Sequence, residues 1–328
     1  MSRPVIFQSA LAPYIEDLIK EKRAMGYKYV AGEDELLRLD RYFSENGINT
    51  PNLTKDMVDK WCEKTPTEAG YGQAHRIGAL TQLSKYLNSI GITAYVPIRF
   101  TIRPDRTLPH ILKAEELDEF FNVVDNYKPA LKMQPFPRMA NEYKVLFRML
   151  YSCGMRNSEA STLPVEKIDL KDGIITVESK KDKTRLVYMD PGLTVLCQRY
   201  FDYLVRNLGF YPEYFFPGRN PSKPVWYTSI DAVFRKYWGL TSFGENCNNP
   251  PTPHDLRFTF ITNRIDDWAS KGYDIDAMML YLSQYVGHSD IQETYYYYHL
   301  TSGTFNVIRQ KDKTSELVIP EVKYGKDQ

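Results

Sequence analysis

Cysteine is scarce: four residues among 328, at Cys62, Cys153, Cys197 and Cys247, all far apart. No Cys-x-x-Cys pair and no Cys/His ligand spacing occurs, which argues against a zinc module and predicts reduced, mostly buried thiols. Long apolar runs are also lacking. No stretch approaches the ~20 residues a membrane helix needs. The opening "MSRPVIFQSALAPYIEDL" has no signal-peptide core and no small-residue cleavage site. The expectation is a cytoplasmic protein without a membrane partner. An excess of either charge is missing too: Lys plus Arg number 42 and Asp plus Glu 41, a formal net charge of +1. That balance neither suggests nor excludes a nucleic-acid partner, because a local basic surface rather than the total binds phosphate.

What is abundant is aromatic. Phe, Trp and Tyr make up 14% of the chain, and 25 residues are tyrosine. Most should be core or half-buried. Four of them are adjacent in "ETYYYYHL", Glu293 to Leu300, and four neighbouring phenols cannot all face one target. The densest basic cluster is "SKKDKTR", Ser179 to Arg185.

The length predicts two domains. The first hundred residues read as four amphipathic helices. "SALAPYIEDLIKEKRAMG" places Leu11, Ile15, Leu18 and Ile19 on one face and ends at Gly26. "GEDELLRLDRYFSENG" stops at Gly47, Thr54 is a predicted N-cap, and "AHRIGALTQLSKYLNSIG" stops at Gly91. Four short-connected helices suggest a small bundle over residues 1–96. The stretch from Val96 to Leu112 carries three prolines and three arginines and lacks a helical period, so residues 97–108 read as an extended linker. Its arginines fit a phosphate backbone or plain solvent equally well. Beyond it, "KAEELDEFFNVVDNY", "MANEYKVLFRMLYSCG" and "GLTVLCQRYFDYLVRNLG" read as helices, "DGIITVES" and "TRLVYMD" as a β-hairpin, and the chain after "NPPTPHDLRFTFITNRIDDW" as helical to about residue 310. The predicted class is mainly α with a small β-hairpin sheet, an α+β second domain over 109–328, rather than a doubly wound sheet.

Three segments combine chemically. In "SCGMRNSEASTLPVEKIDL", Arg156 follows a glycine at a helix start, with Glu159 three residues on. In "TPHDLRFTF", His254 and Arg257 share one helical face. In "YVGHSDIQETYYYYHL", His288 precedes the tyrosines. Two guanidiniums and two imidazoles match the charge that spreads over a phosphodiester under attack, with no metal needed. A tyrosine hydroxyl can be the covalent nucleophile, and a lysine can protonate the leaving oxygen.

Across roughly residues 109–300 these motifs, in this order, resemble the tyrosine recombinases (the phage integrase family). The family's "GxRxSE" is matched by Gly154 to Glu159, and its lysine-bearing hairpin by "SKKDKTRLVYM". Its "xPHxLRHTFA" is matched by "TPHDLRFTFI", and its "LGHxxxxxTxxYxH" by "VGHSDIQETYYYYH". The resemblance implies that the nucleophile stands nine residues after His288 and three after Thr294; both spacings select Tyr297. Tyr296 and Tyr298 turn about 100° away to either side of it on a helix and are its rivals. It implies Arg156, His254, Arg257 and His288 as phosphate ligands and proton handlers, and Lys180 as general acid, with Lys181 and Lys183 as rivals. Phe258 stands where relatives commonly carry a histidine, and Ser179 replaces a hairpin glycine; the first predicts a repacked core, the second a slightly stiffer turn.

The implied activity is site-specific DNA recombination through a 3′-phosphotyrosyl intermediate and a Holliday junction, without ATP, metal or cofactor. The implied partners are double-stranded DNA with inverted-repeat core sites, three further copies of the chain joined by exchange of C-terminal tails, and an accessory DNA-bending factor; bound to DNA, the protein would be nucleoid-associated. The N-terminal helices would form the family's core-binding, SAM-like domain, closing a C-shaped clamp. The competing functions are a type IB topoisomerase-like relaxation of DNA and a non-catalytic, accessory DNA-binding protein.

Overall fold

The computed structural model describes residues 6–66, 68, 70–97, 108–178, 184–245, 247 and 249–298. The chain divides into two compact units, residues 1–107 and 108–328.

The first unit holds α1 (Ala12–Ala24), α2 (Val30–Glu45), α3 (Lys55–Cys62) and α4 (Gly70–Ser89). Apolar residues three and four apart turn to one side of each helix. Ile15, Leu18 and Ile19 of α1 meet Leu36, Leu39 and Phe43 of α2 and Leu80, Leu83 and Leu87 of α4 in one core. Thr54 does cap α3, its hydroxyl accepting from the Met57 N–H. Asp40 is buried in this apolar setting, satisfied by the backbone N–H groups of Gln8 and Ser9 and by the Ser9 hydroxyl.

The second unit is mostly helical around a small antiparallel sheet. In chain order it runs α5 (Ala114–Asn126), α6 (Phe136–Cys153), α7 (Asn157–Ser161), β1 (Ile168–Asp169), β2 (Ile174–Glu178), β3 (Thr184–Tyr188), α8 (Pro191–Leu208), α9 (Tyr227–Trp238), α10 (Pro253–Ser270), α11 (Ile275–Val286) and α12 (Ile291–Tyr298). The predicted hairpin gains a third, two-residue strand, giving the order β1-β2-β3. Helix α6 is its central element. Tyr143, Val145, Leu146, Phe147, Met149 and Leu150 are all buried, because its neighbours cover more than one face. A second cluster joins Phe260, Ile261 and Ile265 of α10 to Met279, Leu282 and Val286 of α11 and to Tyr297 of α12. Strand alternation sends Ile175, Val177 and Val187 into the core. Arg185 is two residues from Val187 and lies opposite Val177, so it shares their inward face.

Two helix ends beside the candidate site need glycine. Helices α6 and α11 both stop at a left-handed residue, Gly154 at φ 61° and Gly287 at φ 69°. A Cβ on Gly154 would stand 2.5 Å from the Phe260 ring. Both glycines end helices next to the candidate site.

Among the described residues, no helix is long and apolar enough to cross a membrane.

Candidate active site

Five of the six predicted residues converge. Lys180 lies outside the described residues, as do its rivals Lys181 and Lys183.

Arg156 is the N-cap of α7 in extended backbone, its N–H donating to Glu159 Oε2 at 2.8 Å. Its side chain, about one-third exposed, donates from Nη1 to Glu159 Oε1 at 2.9 Å and from Nη2 to the Gly287 carbonyl at 2.5 Å. Arg257, near the start of α10, is almost fully buried. It donates to the Gly154 carbonyl at 2.6 Å and to the Val286 carbonyl at 2.8 Å. Those carbonyls belong to the C-terminal ends of α6 and α11, where unpaired C=O groups favour a cation. Burial first, and then the Arg156 charge, lower the Arg257 pKa to about 10, which leaves it protonated at neutral pH.

The N-terminus of α10 is fixed from outside. Asp255 caps it, accepting from the Thr252 N–H and hydroxyl, and also accepts the His110 N–H. The Thr259 hydroxyl accepts the Leu112 N–H. The segment just after the predicted linker is thereby stapled to the helix that carries His254 and Arg257.

His254 is exposed to solvent at the rim of the site. Even so, the protein around it, followed by Arg257, lowers its pKa to about 4. His288, partly buried, is lowered to about 4 by burial and then by Arg257; its Nδ1 pairs with Thr294 Oγ1 at 2.7 Å. Both rings are therefore neutral at pH 7, and each retains one N–H donor and one acceptor nitrogen. The protons they refuse between about pH 4 and 6.5 are taken up in the unfolded chain. Their contribution to stability is thus complete above pH 6.5 and is lost as pH falls through about 4. The expected NMR result for the DNA-free protein is two imidazoles still neutral at pH 5. Ordinary titration of either near 6.5 would contradict this environment.

The tyrosine run separates cleanly. Thr294 and Tyr297, three apart on α12, are buried. The Tyr295 hydroxyl donates to Asp276 Oδ1 at 2.9 Å. Tyr296 and Tyr298 are half-buried and pack on the α10–α12 cluster. The Tyr297 ring lies 6.0 Å from that of His288, nearly parallel, and 5.2 Å from Phe258. Burial raises its pKa to about 12, with Arg257 pulling the other way, so the phenol is protonated at neutral pH. Phe258 also meets His254 edge-on at 4.4 Å. This residue touches two rings of the site rather than supporting it from a distance.

Two participants are missing from the predicted set. Glu159 is buried against guanidiniums: burial alone would raise its pKa, but hydrogen bonds and charge from Arg185 and then Arg156 hold it below the usual carboxylate range. Arg185, read in the sequence as part of a basic cluster, turns inward and is 11% exposed. Alternation with Val187 was the available signal for its direction. Among the described residues, no group of three or more His, Cys, Asp or Glu side chains is placed to hold a metal ion.

Residues 111–303 match the model of the phage integrase family. A tyrosine recombinase of Agathobacter rectalis is 24% identical over 310 residues, covering 93% of this chain and 94% of the relative. Tyrosine recombinase XerD of Haemophilus ducreyi is 23% identical over 251 residues, 74% of this chain and 77% of the relative. Among solved structures, the Tn1549 transposon integrase in complex with a circular intermediate DNA superposes with a TM-score of 0.63 at 16% identity, covering 91% of this chain and 99% of that one. XerH site-specific recombinase bound to a palindromic difH substrate gives 0.60 at 17% identity, covering 92% and 84%. At such identities the superpositions establish the fold.

Proposed function

Since this chain belongs to the phage integrase family, whose model spans more than half of it, we propose that its site performs DNA strand transfer with Tyr297 as nucleophile. The enzyme is a site-specific tyrosine recombinase, a DNA strand-transferase working by transesterification. In the proposed step the Tyr297 oxygen bonds to the scissile phosphorus as the bond from phosphorus to the 5′-oxygen breaks. The phenolic proton passes to a neutral imidazole, His254 or His288. The 5′-oxygen receives its proton from a lysine of the hairpin turn, Lys180 before Lys181 or Lys183. Arg156 and Arg257 direct their remaining N–H donors at the non-bridging oxygens. The 5′-hydroxyl of another strand reverses the attack, so one phosphoester replaces another and ATP is not needed.

The supporting observation is convergence. Arg156, the pair His254 and Arg257, and the pair His288 and Tyr297 come from three separate segments, and they meet through the carbonyls of Val286 and Gly287 and the ring of Phe258.

The larger assembly follows the family. DNA with inverted-repeat core sites is gripped between the N-terminal helices, acting as a core-binding domain, and the second unit, in a C-shaped clamp. Four protomers exchange C-terminal tails and pass through a Holliday junction, with an accessory bending factor where the site requires one. The test is covalent capture. The protein is incubated with nicked fragments of its source DNA and denatured in detergent, and the attached DNA is sequenced. Adducts at one inverted-repeat site are expected. Relaxed plasmid without recombinant product would turn the reading towards a topoisomerase, and absence of any adduct, with host extract added, would refute it.

A further inference from the structure

We propose that Arg185 is a positioning residue of this site: it locks Arg156 and the end of α11 into one frame and does not itself reach the phosphate. The inference rests on the strand-transfer reading above.

Three consecutive carbonyls at the end of α11 each accept from a different arginine. Tyr285 accepts from Arg185 Nε at 2.9 Å, Val286 from Arg257 Nη2 at 2.8 Å, and Gly287 from Arg156 Nη2 at 2.5 Å. Two of these arginines are the proposed phosphate ligands; the third is not. The two other nitrogens of Arg185 grip Glu159 through both oxygens, at 2.9 and 2.7 Å. Every nitrogen of its guanidinium is thus engaged within the protein. Glu159 Oε1 is shared, receiving Arg156 as well as Arg185.

Gly287 supports the same assignment independently. A Cβ there would stand 3.0 Å from Arg185 Nη1 and 3.3 Å from Arg156 Nη1. The two guanidiniums close over the bare backbone of the residue that precedes His288. Strand β3 supplies the third arginine, since Arg185 shares the inward face of Val187. Without Arg185, Glu159 keeps Arg156 as its sole guanidinium and draws it towards a two-oxygen grip, away from Gly287. The Tyr285 carbonyl loses its donor at the same time. The damage therefore falls on how Arg156 meets the charge of the phosphate.

That location can be tested by removing the charge from the substrate. Duplexes of the captured site are made with an ordinary scissile phosphodiester or with an uncharged methylphosphonate at that link. Adduct formation by full-length Arg185→Gln and Arg185→Lys is compared with wild type on each. On the phosphodiester, Arg185→Gln is expected to be slower by about 100-fold. On the methylphosphonate the deficit should shrink to within about three-fold, since the neutral link asks less of Arg156. Lysine keeps the charge but lacks the fork, so Arg185→Lys should retain most of the deficit on the phosphodiester. The ratio between substrates is internal to each protein, so a reduced folded fraction cancels. Equal slowing on both substrates, no slowing on either, or a methylphosphonate refused by wild type and variant alike would overturn the inference. A wild type that forms no adduct with the phosphodiester would instead sink the strand-transfer reading, and the inference with it.

Discussion

Tyr297→Phe is expected to reduce covalent adduct formation by at least about 10⁴-fold, the scale seen when a nucleophile is deleted, while DNA binding is unchanged. The substitution removes one oxygen and leaves the ring. Contacts with Phe258, His288 and Tyr296 are ring contacts and survive. Stability should therefore stay within about 1 kcal/mol of wild type. Tyr296→Phe and Tyr298→Phe serve as the matched controls and should remain within a few-fold of wild type. The measurement is a labelled duplex of the captured site, run in detergent beside a native mobility-shift gel. An adduct that persists in Tyr297→Phe and vanishes in either neighbour would move the nucleophile.

Arg257→Ala should fail twice, in activity and in folding, whereas Arg156→Ala should fail in activity alone. Arg257 is 1% exposed and is the donor for two carbonyls, those of Gly154 and Val286. Deleting it leaves both acceptors buried without that donor, at about 1–3 kcal/mol each, and strips a cation from two helix C-termini. A fall in Tm of roughly 6 °C or more is expected for a unit of this size, together with loss of adduct formation. Arg156 is one-third exposed and its carbonyl partner, Gly287, lies at a helix end closer to solvent. Its removal should cost activity by about 10²–10³-fold and shift Tm little. Parallel melting curves and adduct assays decide the matter. An unchanged Tm for Arg257→Ala would show that the carbonyl contacts are not structural.

Much of this was legible in the chain because local chemistry and long-range need coincide. Glycines at 26, 47, 91, 154 and 209 end or follow helices at positive φ, and each could be read from the apolar period stopping before it, whereas the stop at Gly287 falls inside a stretch that reads as continuously helical. Thr54 announced its cap, and the spacings from His288 and Thr294 to Tyr297 selected the one buried phenol of the run. What escaped was direction. Arg185 stands at the end of a basic cluster, and composition alone suggests a solvated or DNA-facing charge. Only pairing with β2 and the approach of α11 turn it onto Glu159 and Tyr285. Helix α9 is harder to see: Ile230, Phe234, Tyr237 and Trp238 repeat at helical spacing, but it opens without a side-chain cap. At Phe258 the sequence suggests only a repacked core, because nothing in it says that Tyr297 from another helix will meet the ring that His254 already touches.

The gathering of guanidiniums on the end of α11 bears on reversibility. Exchanging one phosphoester for another is close to isoenergetic, so no step liberates enough energy to reset a site that loosens during the reaction. Forward and backward attack cross the same barrier and require the same cradle. An enzyme of this kind gains from arginines whose orientation is fixed when the chain folds, by carbonyls that do not change as strands depart and return. In the proposed site the terminus of α11 would serve as a permanent jig: the substrate alters at every step, and the carbonyls that hold its arginines do not.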